Sequence, residues 1–446
     1  MLLQNRVGHE AWGRYAALTA LAMSLTVLTD FGVNQYTTKS LAADAGKFKA
    51  WFPDLLGFKA VLLFIYPIVL IGAGAGLGYS WKELGWLTLI AFSWSIMQWV
   101  QFLRTSYQAF QHLKIDGWAS VTDKIVLILF SIGFLISGSS ELSPFLYLLA
   151  LSSIITLFIF MGITLRTYGK LRLQFNWVFI KRILKLSFPF ALISIVYAVH
   201  DKIDKIMIDG IRGAEQTGLY SAASRWIDAL MMYIWIIMGI YYARFARNFR
   251  DKIQQAKLLE AGQLLGALPM ILAMGILLFF GEEITSRVFT KSSSFEIQEI
   301  QASLNWLAAA TLINSTFVIY STQLTAIGYE GPVTRMVGLS ILFKIIFNFI
   351  LIPYLGAEAA AMATFITYVL LAAGYVALSH TKTKVQIPYP QLLRLLLLTV
   401  LFIPALGICK YFLRVEIAMG LGILIYLGLG SLLGLISISK IKGLLQ

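Results

Sequence analysis

The sequence predicts an all-α, polytopic membrane protein with about 13 transmembrane helices. Of its 446 residues, 59% are hydrophobic and only 13% are charged, about half the charged fraction of a typical soluble domain. Mean hydropathy is +0.78, and apolar runs of about 20 residues, long enough to cross a bilayer as a helix, recur from end to end. The runs are continuous rather than alternating, which argues against a β-barrel. This composition excludes a soluble enzyme, a secreted module and a disordered chain.

The predicted spans follow the apolar runs in chain order. They cover residues 15–37, 54–76, 84–108, 118–137, 143–165, 183–209, 216–243, 257–280, 302–327, 332–354, 357–379, 391–412 and 416–439. We divide the chain into an N-terminal transmembrane lobe at 1–170, a C-terminal transmembrane lobe at 171–380 and two additional helices at 381–446.

Basic residues predict the orientation of the chain. There are 36 Lys and Arg against 22 Asp and Glu. When the connecting segments are taken alternately, 24 of the basic residues fall in one set and 8 in the other. The positive-inside rule makes the richer set cytoplasmic, so the carboxyl terminus is predicted inside and the amino terminus outside. The basic excess favours anionic membrane lipids or an anionic substrate over nucleic acid as partners.

A segment of eleven residues starting at Val7 recurs at Arg212, 205 positions later. Both copies precede a span that enters the membrane from the same side, which predicts two like-oriented, pseudo-repeated halves. Five positions are identical: Gly8, Glu10, Gly13, Tyr15 and Ala17 match Gly213, Glu215, Gly218, Tyr220 and Ala222.

A complete predicted span, residues 183–209, precedes the second copy, and its counterpart in the first half would fall before Met1. We therefore expect a 14-helix pattern whose first helix is missing from this sequence. A late start codon and a genuine truncation would both account for it.

Motifs for chemistry are not found in the sequence. A phosphate-binding loop of the G-x-x-x-x-G-K-[ST] type is absent, so we expect no nucleotide hydrolysis. Cys409 is the single cysteine, and four scattered histidines lack metal-ligand spacing. Gly72 and Gly76 have the spacing of a helix-packing pair. We expect no enzyme activity, cofactor or metal.

Charged residues inside predicted spans are candidates for a substrate pathway, because such residues are costly in hydrocarbon. Lys202, Asp204 and Lys205 lie on the polar side of one predicted helix. Asp201 is spaced to pair with Lys205, which would explain that part of the pattern structurally.

Two further spans carry deep polar pairs. Lys344 lies about 16 Å from the inner end of its span, with Asn348 one turn away on the same face. Arg225 and Asp228 are similarly deep, and at this spacing they could also pair with each other.

A polar stripe runs along the span at 84–108 and ends beside Arg104. The stripe consists of Gln98, Gln101, Thr105 and Gln108, and its glutamines are typical of hydrogen bonds between helices. Two like-oriented halves with buried cations and no motor or catalytic loop together indicate a transporter whose cavity suits an anion.

The segment from Gly8 to Tyr15, followed by the run from Thr29 to Gln35, resembles the G-x-x-x-[FY]-G-x-Y and D-x-G-x-x-Q pattern of bacterial oligosaccharide flippases. These O-antigen-type flippases belong to the multidrug/oligosaccharidyl-lipid/polysaccharide exporter superfamily. Asp30 lies in this pattern. The segment from Leu186 to Pro189 resembles the start of the family's second lobe, and the resemblance covers nearly the whole chain.

The resemblance implies flipping of an undecaprenyl-pyrophosphate-linked glycan from the cytoplasmic to the outer leaflet by alternating access, for lipopolysaccharide or another surface polysaccharide. It also implies a bacterial inner-membrane location and other polysaccharide-assembly membrane proteins as partners. The alternatives are a cation-coupled drug exporter, a lipid II flippase of the same superfamily, or a membrane-embedded glycan polymerase or ligase. A drug exporter for cations should have a net acidic cavity, and the enzymes generally need a larger exposed loop than the sequence offers.

Overall fold

The computed structural model describes residues 1–44, 46–170 and 172–436, and it shows helices and no strand in that part of the chain. Among the described residues, eleven helices are long and apolar enough to cross a membrane: α4 to α7 and α9 to α15. The protein is an all-α, multi-pass membrane protein. Its helices are α1 (Leu2–Val7), α2 (His9–Ser24), a 3-10 turn (Thr26–Thr29), α3 (Val33–Ala43), α4 (Lys47–Gly76), α5 (Trp81–Ala109), α6 (Leu113–Ile136), α7 (Leu142–Tyr168), α8 (Trp177–Arg212), α9 (Ala214–Arg247), α10 (Lys252–Val288), α11 (Ser294–Ala326), α12 (Glu330–Leu355), α13 (Ala357–Thr383), α14 (Tyr389–Phe412) and α15 (Val415–Leu432).

Helix covers most of each of the 13 predicted spans in the part of the chain that the structure describes. The spans at 15–37 and 183–209 are not among the eleven apolar helices: the first is broken into short pieces, and α8 carries many charges. The last helix ends at Leu432, before the predicted end of its span. Lys440, Lys442 and the predicted cytoplasmic carboxyl terminus lie outside the described residues.

The first predicted span is not one continuous helix. After α2 the hydroxyls of Thr26 and Thr29 donate to carbonyl oxygens three residues back, each at 2.6 Å. Phe31 and Gly32 then take left-handed conformations, with φ of 45° and 73°. Such a break is tolerated at membrane depth where the freed backbone groups are buried and bonded. Here the Lys59 ammonium on α4 donates to the Thr29 carbonyl oxygen at 2.7 Å.

The helices form two compact units. One consists of Arg6–Gly218, and the other of Leu219–Gln446 with Met1–Asn5. An aromatic core joins α4, α5 and α7 in the first unit, and a second core joins α10, α14 and α15 in the other. The three-part division of the chain made from the sequence stays a prediction.

The glycine pair predicted to pack helices does not do so in the part of the chain that the structure describes. Gly72 and Gly76 are exposed, and a methyl group on either would meet no atom within 4 Å. Gly74, between them, is buried against the side chains of Leu84 and Leu87 on α5. The spacing was right for a packing pair, but the helix turns the glycine in the middle toward its neighbour.

Candidate functional site

The two copies of the repeated segment contact each other within the unit Arg6–Gly218. A methyl group placed on Gly13 would overlap the carbonyl oxygen of Ala214, and one placed on Gly218 would overlap that of His9. His9 and Ala214 are equivalent positions of the repeat, as are Gly13 and Gly218. The contact is therefore reciprocal, and both sides need a residue without a side chain. We call these four residues the glycine crossing.

An ion-pair cluster lies directly beside the glycine crossing. The Arg14 guanidinium forms ion pairs with the carboxylates of Glu83 and Asp209, with nitrogen–oxygen distances of 2.7 Å in both. The Tyr79 hydroxyl donates to the same Asp209 oxygen at 2.9 Å. The Asp209 side chain is only 1% exposed, so its charge depends on these partners. Burial, and then the nearby Asp209 carboxylate, raise the pKa of Tyr79, which keeps its hydroxyl protonated and donating.

The cluster joins three chain segments that are far apart in sequence. Arg14 lies on the first turns of α2, Glu83 starts α5, and Asp209 is near the end of α8. Glu83 is held in place because it also closes the capping box of α5 with Ser80. The sequence showed Arg14 and Asp209 near span ends, but it gave no signal that they meet.

A second buried ion pair stabilises the break after α2. Lys59 is fully buried, and its ammonium lies 2.7 Å from the Asp30 carboxylate. The same carboxylate oxygen accepts a hydrogen bond from the backbone of Asn34 at the start of α3. Asp30, a predicted site residue, thus holds the break together in this structure. Lys59 was not among the predicted site residues, so this pair was missed.

A polar cavity of about 540 Å³ opens between α2, α5, α6 and α7. We call it the hydroxyl cavity. Its charged lining residues are Arg104, Asp123 and Lys124, and Trp94 adds an aromatic face. Its uncharged polar lining consists of Tyr15, Thr19, Ser93, Gln98, Gln101, Ser120, Ser152, Ser153 and Thr156.

The hydroxyls of this cavity present mainly acceptors. Ser93, Ser152 and Thr156 donate to carbonyl oxygens of their own helices, at 2.8, 2.7 and 2.9 Å. Each hydroxyl oxygen keeps lone pairs that can accept a further hydrogen bond. Gln98 adds an amide, which can both donate and accept. The cavity wall therefore suits a ligand with many hydroxyl groups.

Arg104 is anchored at the edge of the hydroxyl cavity. Its guanidinium donates to Asp116 and Ser120, each at 2.7 Å, and to Gln101 at 3.1 Å. Further into the membrane span, the Lys124 ammonium lies 2.9 Å from one Asp123 oxygen. The other Asp123 oxygen is buried without a hydrogen-bond partner among the described residues. Asp123 and Lys124 were not among the predicted site residues.

The predicted polar helix is α8, and its polar residues differ in how deeply they are buried. Three residues spaced one turn apart are buried: His200, Asp204 and Ile208. By contrast, Lys202 and Lys205 are half-buried. Asp201, on the other side, is exposed. Two of these three buried residues are polar, on a helix that packs against α2.

In the other unit, the predicted residues lie on two helices. On α12, Lys344 is 2% and Asn348 0% exposed, on one face with Ser340 and Ile352. Phe343 on the same helix is half exposed, so the polar residues point inward. On α9, Arg225 is half-buried and Asp228 is exposed.

The predicted site residues thus fall into separate places. Arg104 lines the hydroxyl cavity and Asp30 lies at the helix break. The others lie on single helices: Lys202, Asp204 and Lys205 on α8, Arg225 and Asp228 on α9, and Lys344 and Asn348 on α12.

Known structures share this arrangement of helices. The inward closed structure of the lipid II flippase MurJ aligns with a TM-score of 0.78 at 16% identity, over 97% of this chain and 94% of that one. An inward-facing multidrug resistance MATE family transporter of the MOP superfamily aligns with a TM-score of 0.69 at 13% identity, over 86% and 92%. The fold is that of the MurJ and MATE membrane transporters.

Sequence comparison then gives the family. The family model described as polysaccharide biosynthesis protein matches residues 1–249, more than half of the chain, and the chain belongs to this family. The capsular polysaccharide biosynthesis protein CapF of Staphylococcus aureus is 26% identical over 262 residues, 57% of this chain and 64% of that protein. An uncharacterized membrane protein of Methanocaldococcus jannaschii is 27% identical over 186 residues, 42% of each. The chain spans less than two thirds of the length of both relatives.

Proposed function

We propose that this protein flips a polyprenyl-pyrophosphate-linked oligosaccharide across the membrane, from the cytoplasmic to the outer leaflet, for the assembly of a cell-surface polysaccharide of the O-antigen or capsular type. Membership of the polysaccharide biosynthesis family and the transporter fold support this proposal. The capsular relative supports a surface polysaccharide as the destination. The location would be a bacterial inner membrane, with the carboxyl terminus in the cytoplasm.

The hydroxyl cavity is the observation that carries the proposal. A sugar headgroup that crossed bare hydrocarbon would lose hydrogen bonds at every hydroxyl, at a cost of several kcal/mol for each. The cavity offers hydroxyl acceptors, an amide and an aromatic face at membrane depth, which are the groups that recognise sugars. Its volume of about 540 Å³ is enough for part of an oligosaccharide.

Cationic residues would attract the pyrophosphate group. Four are at least half-buried: Lys202 and Lys205 on α8, Arg225 on α9 and Lys344 on α12. Arg104 is held by three hydrogen bonds at the edge of the cavity, so it would act at a fixed position. The polar pathway would also include Asp204, Asp228 and Asn348. Asp30 would hold the helix break that follows α2.

During alternating access the two backbone segments of the glycine crossing would separate and come together again. Its reciprocal backbone contact is tight but is made without interlocking side chains, so its separation breaks few bonds. The cluster of Arg14, Glu83 and Asp209 would hold the crossing in the closed state. Opening would then need this buried cluster to rearrange or to hydrate.

The proposal can be tested in a strain whose surface polysaccharide depends on this gene. Thr156→Leu places an apolar group in the hydroxyl cavity, so export of the polysaccharide should fall at least about tenfold, with lipid-linked glycan retained inside. Thr167→Leu on the exposed face of the same helix is the matched control. It should export normally. Normal export by a well-inserted Thr156→Leu protein would contradict a role for the cavity in glycan passage.

The remaining transport alternatives predict other phenotypes. A drug exporter should alter resistance to cationic compounds and leave the polysaccharide intact. A lipid II flippase should be needed for growth and for peptidoglycan synthesis. Loss of surface polysaccharide without either effect would support the proposed function.

A further inference from the structure

A second polar cavity lies at the turn between α9 and α10. It has a volume of about 670 Å³ and is lined by Arg244, Arg247 and Lys257 together with Asn248 and Gln254. Among the described residues, its lining contains three cations and no carboxylate. We call it the basic cavity. This turn belongs to the lysine- and arginine-rich set of connecting segments that the sequence predicts to be cytoplasmic.

The turn that carries these cations is fixed by buried hydrogen bonds. The Gln255 amide donates to the carbonyl oxygens of Asn248 and Phe249, at 3.3 and 2.8 Å. Gln323 on α11 donates to Gln255 at 2.7 Å, and Ser379 on α13 donates to Gln323 at 2.6 Å. Three helices therefore hold the turn in one geometry. The cations are presented by a rigid support rather than by a loose loop.

Tyr241 shows that the cavity is built for a polar ligand. Its side chain lines the cavity and is 2% exposed, and its hydroxyl has no hydrogen-bond partner among the described residues. A buried hydroxyl without a partner costs free energy, so a bound acceptor would stabilise it. The Arg244 guanidinium lies over the Tyr241 ring, 5.6 Å from its centre, so the two side chains line the cavity side by side.

Nearby acids do not neutralise the cavity. The Asp251 carboxylate caps α10 by accepting the backbone N–H of Gln254 at 3.0 Å. Glu260 is exposed, and neither acid lines the cavity. An anion that entered the cavity would therefore face three cations and one hydroxyl donor.

Apolar side chains extend the basic cavity along the membrane face of α9. Ile240 lines the cavity and is 50% exposed, and Ile236, one turn deeper in the helix, is 66% exposed. Phe249 and Ile253 are also exposed beside the turn. A phosphate with attached acyl chains matches this arrangement better than a soluble anion does.

We propose that the basic cavity binds the phosphate headgroup of an anionic phospholipid, with the acyl chains along Ile236 and Ile240. The Tyr241 hydroxyl and the Arg244 and Arg247 guanidinium groups donate to the phosphate oxygens, and Lys257 adds charge at the rim. This site is separate from the hydroxyl cavity, and it stands whether or not the protein flips a glycan.

The test measures lipid binding to the purified full chain by native mass spectrometry, with phosphatidylglycerol as the anionic lipid and phosphatidylcholine as the reference. Removing one cation near an anionic headgroup should weaken binding about fivefold. Arg244→Gln and Arg247→Gln should each show this loss, and the double variant should lose roughly twentyfold. Tyr241→Phe should also weaken phosphatidylglycerol binding, although it changes no charge.

Arg250→Gln is the matched control, because Arg250 lies on the same turn and outside the cavity. It should bind phosphatidylglycerol as the native chain does. Equal losses in Arg250→Gln and Arg244→Gln would overturn the site, since they would indicate general electrostatic attraction. Unchanged binding in the Arg244, Arg247 and Tyr241 variants would overturn it as well. Full displacement of the lipid by millimolar inorganic phosphate would assign the cavity to a soluble anion instead.

Discussion

Gly13 and Gly218 occupy equivalent positions in two copies of one sequence segment, and each lies where the backbone of the other copy passes. The two backbone segments, at Gly13 and at Gly218, can approach this closely because neither position carries a side chain. The same eleven residues therefore encode both sides of one reciprocal contact. This relationship explains why glycine stands at both positions of the repeat.

Gly13→Ala should destabilise the folded protein by about 1–3 kcal/mol, because the added methyl group overlaps the Ala214 carbonyl oxygen. Gly218→Ala should behave in the same way. The melting temperature in detergent measures the effect. Gly210→Ala is the control: this helical glycine is exposed, and a methyl group there meets no atom within 4 Å. Its melting temperature should stay the same or rise. Equal effects at all three positions would contradict the tight crossing.

The cluster beside the crossing should respond asymmetrically to mutation. Arg14→Gln leaves the buried Asp209 carboxylate without its cation, which should cost about 3 kcal/mol. Asp209→Asn should cost less, about 1 kcal/mol, because Arg14 keeps Glu83 and Tyr79 can still donate to the amide oxygen. Thermal unfolding of the two variants shows which substitution is the more destabilising. A more harmful Asp209→Asn would show that the arginine is not what stabilises the carboxylate.

Lys59 and Asp30 should show strong coupling at the helix break. Lys59→Met leaves the Asp30 carboxylate without its cation and removes a donor from the Thr29 carbonyl oxygen, so this variant should lose about 3 kcal/mol. Combining Lys59→Met with Asp30→Asn should recover part of that loss. A double-mutant cycle measures the coupling, which we expect to exceed about 1 kcal/mol. Additive effects would mean that the two residues stabilise the break independently.

Hydropathy was sufficient to predict the helical membrane fold, because crossing hydrocarbon requires long apolar helices. The break at Thr26 to Gly32 was not predictable in this way. It depends on Lys59, a residue on another helix that donates to the freed carbonyl. The exposure of Gly72 and Gly76 was missed for a similar reason, since the direction that a helix face points is set by its neighbours.

The candidate site was predicted only in part. Arg104 and the glutamines before it lie at the cavity, as polar residues in a span often do. Arg14 and Asp209 are 195 residues apart, and their contact depends on the packing of α2 against α8. Asp123 and Lys124 were close to a predicted span end and gave no signal of depth.

Lys344 provides a test of the proposed anion pathway in the other unit. Lys344→Ala should reduce polysaccharide export, and Lys344→Glu should reduce it further because it reverses a buried charge. Lys344→Arg should be tolerated better than either, since it keeps the positive charge. Phe343→Ala on the exposed face of α12 is the control and should export normally. Full export by the Glu variant, present at native levels, would remove Lys344 from the pathway.

Transfer of a lipid-linked glycan by the purified protein is the direct test of flippase activity. The protein is placed in liposomes with a polyprenyl-pyrophosphate oligosaccharide in the inner leaflet, and the glycan that becomes accessible to an added glycosidase is followed over time. We expect transfer by the native chain and by Thr167→Leu, and little transfer by Thr156→Leu. Transfer no faster than in protein-free liposomes, or equal transfer by both variants, would contradict it.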